Sequence, residues 1–307
     1  MGIQHEFHSN TERPQTAKKL AILRKYFGVW LTIWSGDKCL SWVDKHWYVL
    51  DLFAGTGQSN GADGEAISGS PLVFLELISS KAQRLRDGGV LITLVLVEQD
   101  VGSCEALRLR VGDFLALHPE LTGVVEVDIR CADCNAAAAE FVSSVVVTPR
   151  TPAFLFVDPF GLAIRSSTMN SLVSLPWVVD VLFNYMLDGI RRTFGAASGT
   201  SSRAAANAAT LAAYFGDTVV IRDGAQIEDP RTYANAVFGA NKLATVAFFM
   251  RWPNKQAIQY ILLFACRNSA VVDIMRKIYA KEMSDQYGQP TLFGTEEHLA
   301  QIEVIQP

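Results

Sequence analysis

Five short apolar runs constrain this chain more than any other feature. They are WYVLDLF (47–53), LITLVLVE (91–98), VVEVDIR (124–130), AFLFVD (153–158) and VVDVLFNY (178–185). Each is rich in β-branched or aromatic residues. Most show little of the alternation that a half-exposed strand would have. Such runs read as strands buried on both faces, the mark of a parallel sheet. Helical periodicity fills the intervals at 70–87, 101–117, 135–146 and 166–175. Strands alternating with helices predict an α/β fold with a parallel sheet and helices on both faces.

Two flanking regions add to this core. Residues 14–34 carry Leu20, Leu23, Phe27, Trp30, Leu31 and Trp34 at helical spacing, with Thr16 as the N-cap. They predict a helical extension, residues 1–45, packed on a main domain of residues 46–307. Near the other end, ATVAFFMRW (244–252) and QAIQYILLFAC (256–266) flank a short PNK turn and read as an antiparallel hairpin. A helix over 269–283, capped by Ser269, follows. The stretch 195–216 reads as a flexible half and then an Ala-rich helix, part of an insertion around 195–235.

Composition narrows the functional classes. A chain of 307 residues, half of them hydrophobic and 19% charged, can bury a large core and is not disordered. The net charge of −4 argues against a dedicated basic nucleic-acid binder, but not against an enzyme with a local basic patch. Five Cys is an odd number and too few for a disulfide-stapled secreted scaffold. There is no apolar signal region near Met1 and no run of 18 apolar residues. The expectation is a soluble, cytoplasmic protein without a membrane anchor.

In open α/β sheets ligands sit beyond the carboxyl ends of the strands, so the residues there are the candidates. The first strand runs into Asp51-Leu-Phe53-Ala-Gly55-Thr-Gly57. This is either a plain glycine turn or a loop that lets backbone approach a ligand. It is not the GxGxxG of a dinucleotide enzyme. A polar loop (58–69) follows, with Ser70 and Pro71 as N-cap and first residue of the next helix. The second strand ends in Glu98, an ordinary strand-end carboxylate or a partner for a diol. The third leads to Cys131-Ala-Asp133-Cys134-Asn135, where the two Cys read as half a metal site, a redox pair or, more simply, packing thiols. Asn135 is placed as a helix cap. The fourth ends in Asp158-Pro159-Phe160-Gly161, good turn chemistry as well as a candidate site. Arg165, Arg191 and Arg192 can hold an anionic group of a substrate or simply line the surface. No Ser-His-Asp order, HExxH, P-loop lysine or EF-hand is present, and no metal site is expected.

Five parallel strands closed by a hairpin resemble the Rossmann-like sheet of class I S-adenosylmethionine (SAM) methyltransferases. The string DLFAGTG resembles the first motif of those enzymes. The resemblance implies that Asp51, Phe53, Gly55 and Gly57 hold SAM, that Glu98 accepts the ribose hydroxyls, and that Asp133 pairs with the adenine amino group. Asp158-Pro159-Phe160 resembles the fourth motif of amino-group methyltransferases, with Phe160 in place of a second Pro. There, the Asp carboxylate and the Pro carbonyl accept hydrogen bonds from the target NH2, and an aromatic ring stacks on a planar substrate. A cytosine-C5 enzyme would need a nucleophilic Cys after a Pro at this strand end, and none is present.

Over most of its length the chain also resembles the three-Cys-motif partner protein family. The resemblance rests on KKLAILRKYF within 14–34, YVLDLFAGTGQS, GSPLVFLEL (69–77), FVDPFG (156–161), VLFNY with its trailing arginines, and QYILLFACRNSAVVDIMRKIYAKEM (259–283). Thr56 stands where Pro is expected in that family. The resemblance implies the methyltransferase-like fold and a partner protein with three cysteines. Two functions follow. One is a SAM-dependent methyltransferase acting on an amino nitrogen of a nucleobase, protein or small molecule. The other is a non-catalytic partner subunit or SAM sensor working with a Cys-rich protein. An NAD-dependent oxidoreductase is disfavoured by the missing third glycine.

Overall fold

The computed structural model describes residues 14–60, 65–199, 203–216, 223–251, 258–284 and 302–305. Helix α1 (Pro14–Trp34) and the single turn α2 (Asp37–Leu40) precede β1 (His46–Asp51). A two-stranded ribbon of β2 (Gln58–Asn60) and β3 (Ala66–Ser68) comes next, then α3 (Ser70–Ser79) and α4 (Ala82–Asp87). The alternation continues through β4 (Leu91–Glu98), α5 (Val101–Leu117), β5 (Val125–Cys131), α6 (Cys134–Ser144), β6 (Pro152–Val157), α7 (Ser166–Val173) and β7 (Val178–Tyr185). Four helices follow: α8 (Leu187–Ala197), α9 (Ala204–Phe215), α10 (Gly224–Glu228) and α11 (Pro230–Val237). The chain closes with β8 (Ala244–Arg251), β9 (Ile258–Cys266), α12 (Ser269–Ser284) and β10 (Ile302–Ile305).

The main sheet has the order β10-β8-β9-β7-β6-β1-β4-β5. The five strands from β5 to β7 are parallel, and β9, β8 and β10 are antiparallel to their neighbours. Five parallel strands with an antiparallel hairpin beside the fifth is the Rossmann-like arrangement of class I methyltransferases. The short strand β10 covers the outer edge of β8. The PNK turn of the hairpin lies outside the described residues.

The apolar strand runs divide between two cores by the period of two. In β6, which is buried throughout, Phe154 and Phe156 face one side, and Ala153, Leu155 and Val157 face the other. The first core is covered by α1, α3 and α12. Phe27 stands edge-on to Phe74 with ring centroids 4.7 Å apart, and Tyr26 meets Phe264 of β9 at the same distance. The second is covered by α6, α7, α9 and α11, where Phe183 stacks on Tyr233 at 4.8 Å. Inside the first core Tyr26 donates to Asp180 Oδ2 at 2.5 Å, which satisfies a buried carboxyl in the middle of β7.

Several local expectations are corrected. Helix α1 begins at Pro14, so Thr16 lies in its first turn and does not cap it. The stretch 70–87 is two helices, because a turn at Ser80–Lys81 interrupts it. Gly69 is the N-cap of α3, which places Ser70 and Pro71 inside the helix. Helix α6 is capped by Asp133, whose Oδ1 accepts the N–H groups of Asn135 and Ala136; Asn135 is not the cap. Helix α12 starts at Ser269, which places that residue inside the helix, and the side chain of Asn268 before it accepts the N–H of Ala270. Residues 195–197 complete α8 and are not flexible linker. Cys131 is not the packing thiol expected, since it forms a disulfide with Cys104 and not with Cys134; Cys39, Cys134 and Cys266 are free.

Among the described residues no helix is long and apolar enough to cross a membrane. Nor does any group of three or more His, Cys, Asp or Glu side chains among them form a metal site.

Candidate functional site

The strand order reverses between β1 and β6, and the carboxyl ends of β1, β4 and β6 meet there. Such a switch point opens the crevice in which α/β proteins bind ligands. Asp51 is the last residue of β1 and is fully buried. Burial pushes its carboxyl up to about 7, against hydrogen bonds from Ser70 and the Phe53 N–H that favour the anion. The nearby charges of Asp158 and Glu98 push it further in the upward direction. The structure therefore brings these three acids, far apart in sequence, within electrostatic reach of one another.

The loop after β1 is shaped by glycine. Gly55 and Gly57 have φ of 59° and 77°, in the left-handed region open to glycine at little cost. Glu98 fastens this loop from the next strand: its Oε2 accepts the Gly55 N–H at 3.0 Å, and its Oε1 accepts the Asp100 N–H at 2.8 Å. Arg110 of α5 donates to the Thr56 carbonyl at 2.8 Å and holds the loop from the far side. The polar loop that follows contains the β2–β3 ribbon, and it brings Gly69 back against Gly57. A Cβ on Gly69 would lie 2.8 Å from the Gly57 carbonyl carbon. The Gly69 N–H donates to the Gly57 carbonyl at 2.9 Å.

Asp133 lies at the end of β5, on the same edge of the sheet. One of its oxygens is committed to capping α6. Asn135 joins α6 to the segment after β6. It donates to the Ala163 carbonyl at 2.9 Å, and it accepts from the Arg165 N–H at 2.9 Å and the Thr168 hydroxyl at 2.8 Å. Arg165 and Thr168 line a cleft of about 480 Å³ between α6 and α7, which Asp133 and Asn135 also border.

Asp158 follows β6 directly and is partly buried, with Pro159 buried behind it. Lys19 of α1 donates to Asp158 Oδ1 at 2.7 Å and to Oδ2 at 2.5 Å. Asn184 of β7 donates to Oδ1 at 2.6 Å. Phe160 is 89% exposed. Sequence reasoning missed Lys19 and Asn184. Lys19 carried a signal, because Ile22, Leu23 and Tyr26 stand three, four and seven residues on. A lysine on a buried helical stripe needs a buried partner.

The structure does not bring every candidate together. Arg191 is paired with Glu228 at 2.7 Å and with Asp188 at 3.9 Å, and the Glu228 hydrogen bond raises its already high pKa. The Arg192 Nε donates to the Asp188 carbonyl of its own helix. Cys134 packs beside Asn135, and burial pushes its thiol up to about 12, so it is not a reactive thiolate.

No family model matches this chain, and no curated protein matches it. Several solved structures are similar in shape. Protein LPL1258 from Legionella pneumophila has a TM-score of 0.44 at 10% identity, covering 88% of this chain and 93% of its own. The DszA carbon methyltransferase has a TM-score of 0.44 at 13% identity; the matched region covers 83% of this chain and 55% of that one. Precorrin-6y C5,15-methyltransferase from Geobacter metallireducens has a TM-score of 0.35 at 8% identity, covering 85% and 92%. Strand order and register, rather than these distant likenesses, define the fold of this chain.

Proposed function

We propose that this chain is a class I SAM-dependent methyltransferase acting on an amino nitrogen. The observation that carries the reading is the convergence, at one switch point, of the glycine loop after β1, Glu98 on its N–H, and Asp158-Pro159 after β6. The loop suits SAM. Gly55 and Gly57 leave backbone bare of side chains, and Gly69 closes the loop with no room for a Cβ. Glu98 spends only two of about four lone-pair directions on backbone, which leaves capacity for a ribose diol. Asp51, Phe53, Gly55, Gly57, Glu98 and Asp133 would hold the cofactor.

SAM supplies a methyl group on a positively charged sulfur, already activated for displacement. Little covalent chemistry is left to the protein, and positioning dominates. Well-oriented reactants can account for about 7–11 kcal/mol of barrier. Asp158 and the Pro159 carbonyl would accept the amino hydrogens and so orient the nitrogen lone pair. Phe160 would give a planar acceptor a ring face.

A second reading, a non-catalytic subunit or sensor paired with a three-Cys protein, draws on the ion pair that occupies both oxygens of Asp158. Thermal unfolding with SAM, S-adenosylhomocysteine (SAH) and NADH tests the first step. A ligand at about 100 times its Kd adds roughly 2.7 kcal/mol, a shift of several degrees. Stabilisation by SAM and SAH but not by NADH is expected. No shift with any of them would sink the methyltransferase reading.

A further inference from the structure

The N-terminal helix places a positive charge in the acceptor end of the site, and the reaction outlined above gives it no role. Lys19 Nζ bridges both oxygens of Asp158 and lies 5.6 Å from the centre of the Tyr260 ring. Its side chain is 13% exposed and that of Asp158 24%. Asn184 adds a third hydrogen bond to the same carboxylate. The Asn184 Oδ1 is buried with no partner among the described residues. A carboxylate offers about four lone-pair directions and an ammonium three donors. Asp158 keeps one direction open, and Lys19 needs at most two of its donors for the pair.

We propose that Lys19 is a positioning and specificity residue of the acceptor site, and that the acceptor nitrogen is an uncharged amino group on a planar ring. This rests on the methyltransferase reading. A bare carboxylate at the end of β6 would draw an ammonium group. Lys19 already neutralises this one, and its own charge opposes a second cation at the same oxygens. An uncharged NH2 meets no such opposition. It needs only the open lone pair of Asp158 and the Pro159 carbonyl, and the exposed Phe160 ring can stack on its plane. In the transfer the nitrogen gains the methyl as the carbon–sulfur bond breaks. The sulfur keeps the bonding pair, and one N–H proton passes to solvent. Lys19 and Asn184 also fix the Asp158 rotamer before any acceptor arrives, because both are held by buried elements.

The sulfonium of SAM and the neutral sulfur of SAH read the charge at this point without an acceptor. Calorimetric Kd values for both ligands are compared in the wild type and three variants. Lys19→Met leaves Asp158 unpaired and raises the preference for SAM over SAH about 10-fold. Asp158→Asn leaves Lys19 unpaired and lowers that preference by a similar factor. Lys19→Arg returns the ratio close to wild type. If both affinities fall together in Lys19→Met and Asp158→Asn, with the ratio unchanged, Lys19 has only a structural role and the proposal is overturned. If neither ligand binds the wild type, the methyltransferase reading fails first and takes this proposal with it. Poly-L-lysine incubated with tritiated SAM serves as the ammonium probe. The wild type is expected to leave it unlabelled, and label on it overturns the uncharged acceptor.

Discussion

Glu98 Oε2 accepts the backbone N–H of Gly55 at 3.0 Å, so the end of β4 sets the conformation of the loop after β1. Replacing Glu98 with Ala removes this anchor together with the carboxylate proposed to hold the ribose diol. SAH affinity should fall at least about 10-fold, equivalent to roughly 1.4 kcal/mol. Calorimetric titration checks this. Unchanged affinity would show that Glu98 only braces the loop.

Gly69 gives a sharper test of the same loop, since it is not itself a candidate site residue. Gly69→Ala forces a Cβ against the Gly57 backbone, where no flexible side chain can give way. A cost of about 1–3 kcal/mol in urea unfolding is expected, with weaker SAH binding.

Asp158→Ala should abolish methyl transfer while SAH binding stays within a few-fold. The measurement is single-turnover label transfer beside calorimetry. An equal loss of binding and turnover would move Asp158 into the cofactor site. The variant also leaves Lys19 part-buried without its acid, so a modest fall in stability is expected.

Two buried acids set the pH dependence of stability. Burial pushes both Asp51 and Asp180 up to about 7. The unfolded chain releases these protons near pH 4, whereas the folded protein keeps them up to about 7. Stability is therefore greatest at the acidic end of this window and falls as pH rises through about 7. The melting temperature should be higher at pH 5.5 than at pH 8, and Asp180→Asn should flatten the difference. Glu120 acts in the opposite sense, since its hydrogen bond from Ser79 holds it at about 2, but only below about pH 4.5.

Alkylation under non-reducing, denaturing conditions should modify Cys39, Cys134 and Cys266 and spare Cys104 and Cys131. The bridge spans 27 residues, so in the chain-entropy account its reduction costs about 3–4 kcal/mol. A fall in melting temperature of several degrees on adding reductant is the corresponding readout.

The strands were the most legible part of the sequence. LITLVLVE and VVDVLFNY match β4 and β7 residue for residue, because strands buried on both faces read as continuous apolar runs. Helix ends were less legible. At Asp133 and Asn135 two good capping side chains stand two apart, and only the backbone decides which one accepts. The strand-end acids were readable because strand order dictates where they meet. Lys19 and the Cys104 bridge were not. Lys19 finds Asp158 139 residues away, and Cys104 sits on the sheet-facing side of α5 with Leu107 and Val111. Spacing within an element shows that such a residue is buried, but not what it will meet.

Helix α1 also has a consequence for synthesis. Tyr26, Phe27 and Trp30 leave the ribosome well before Phe154, Asp180 and Phe264, on which they pack. At about 5–20 residues per second, the last of these appears roughly ten to fifty seconds later. Phe74 and Phe154 can cover Phe27 earlier, but until Phe264 is made the Tyr26 face of the helix lacks its partner in β9. Helix α1, which precedes the whole described sheet in the chain, is thus fully sealed only when the hairpin at the far end of that sheet is in place.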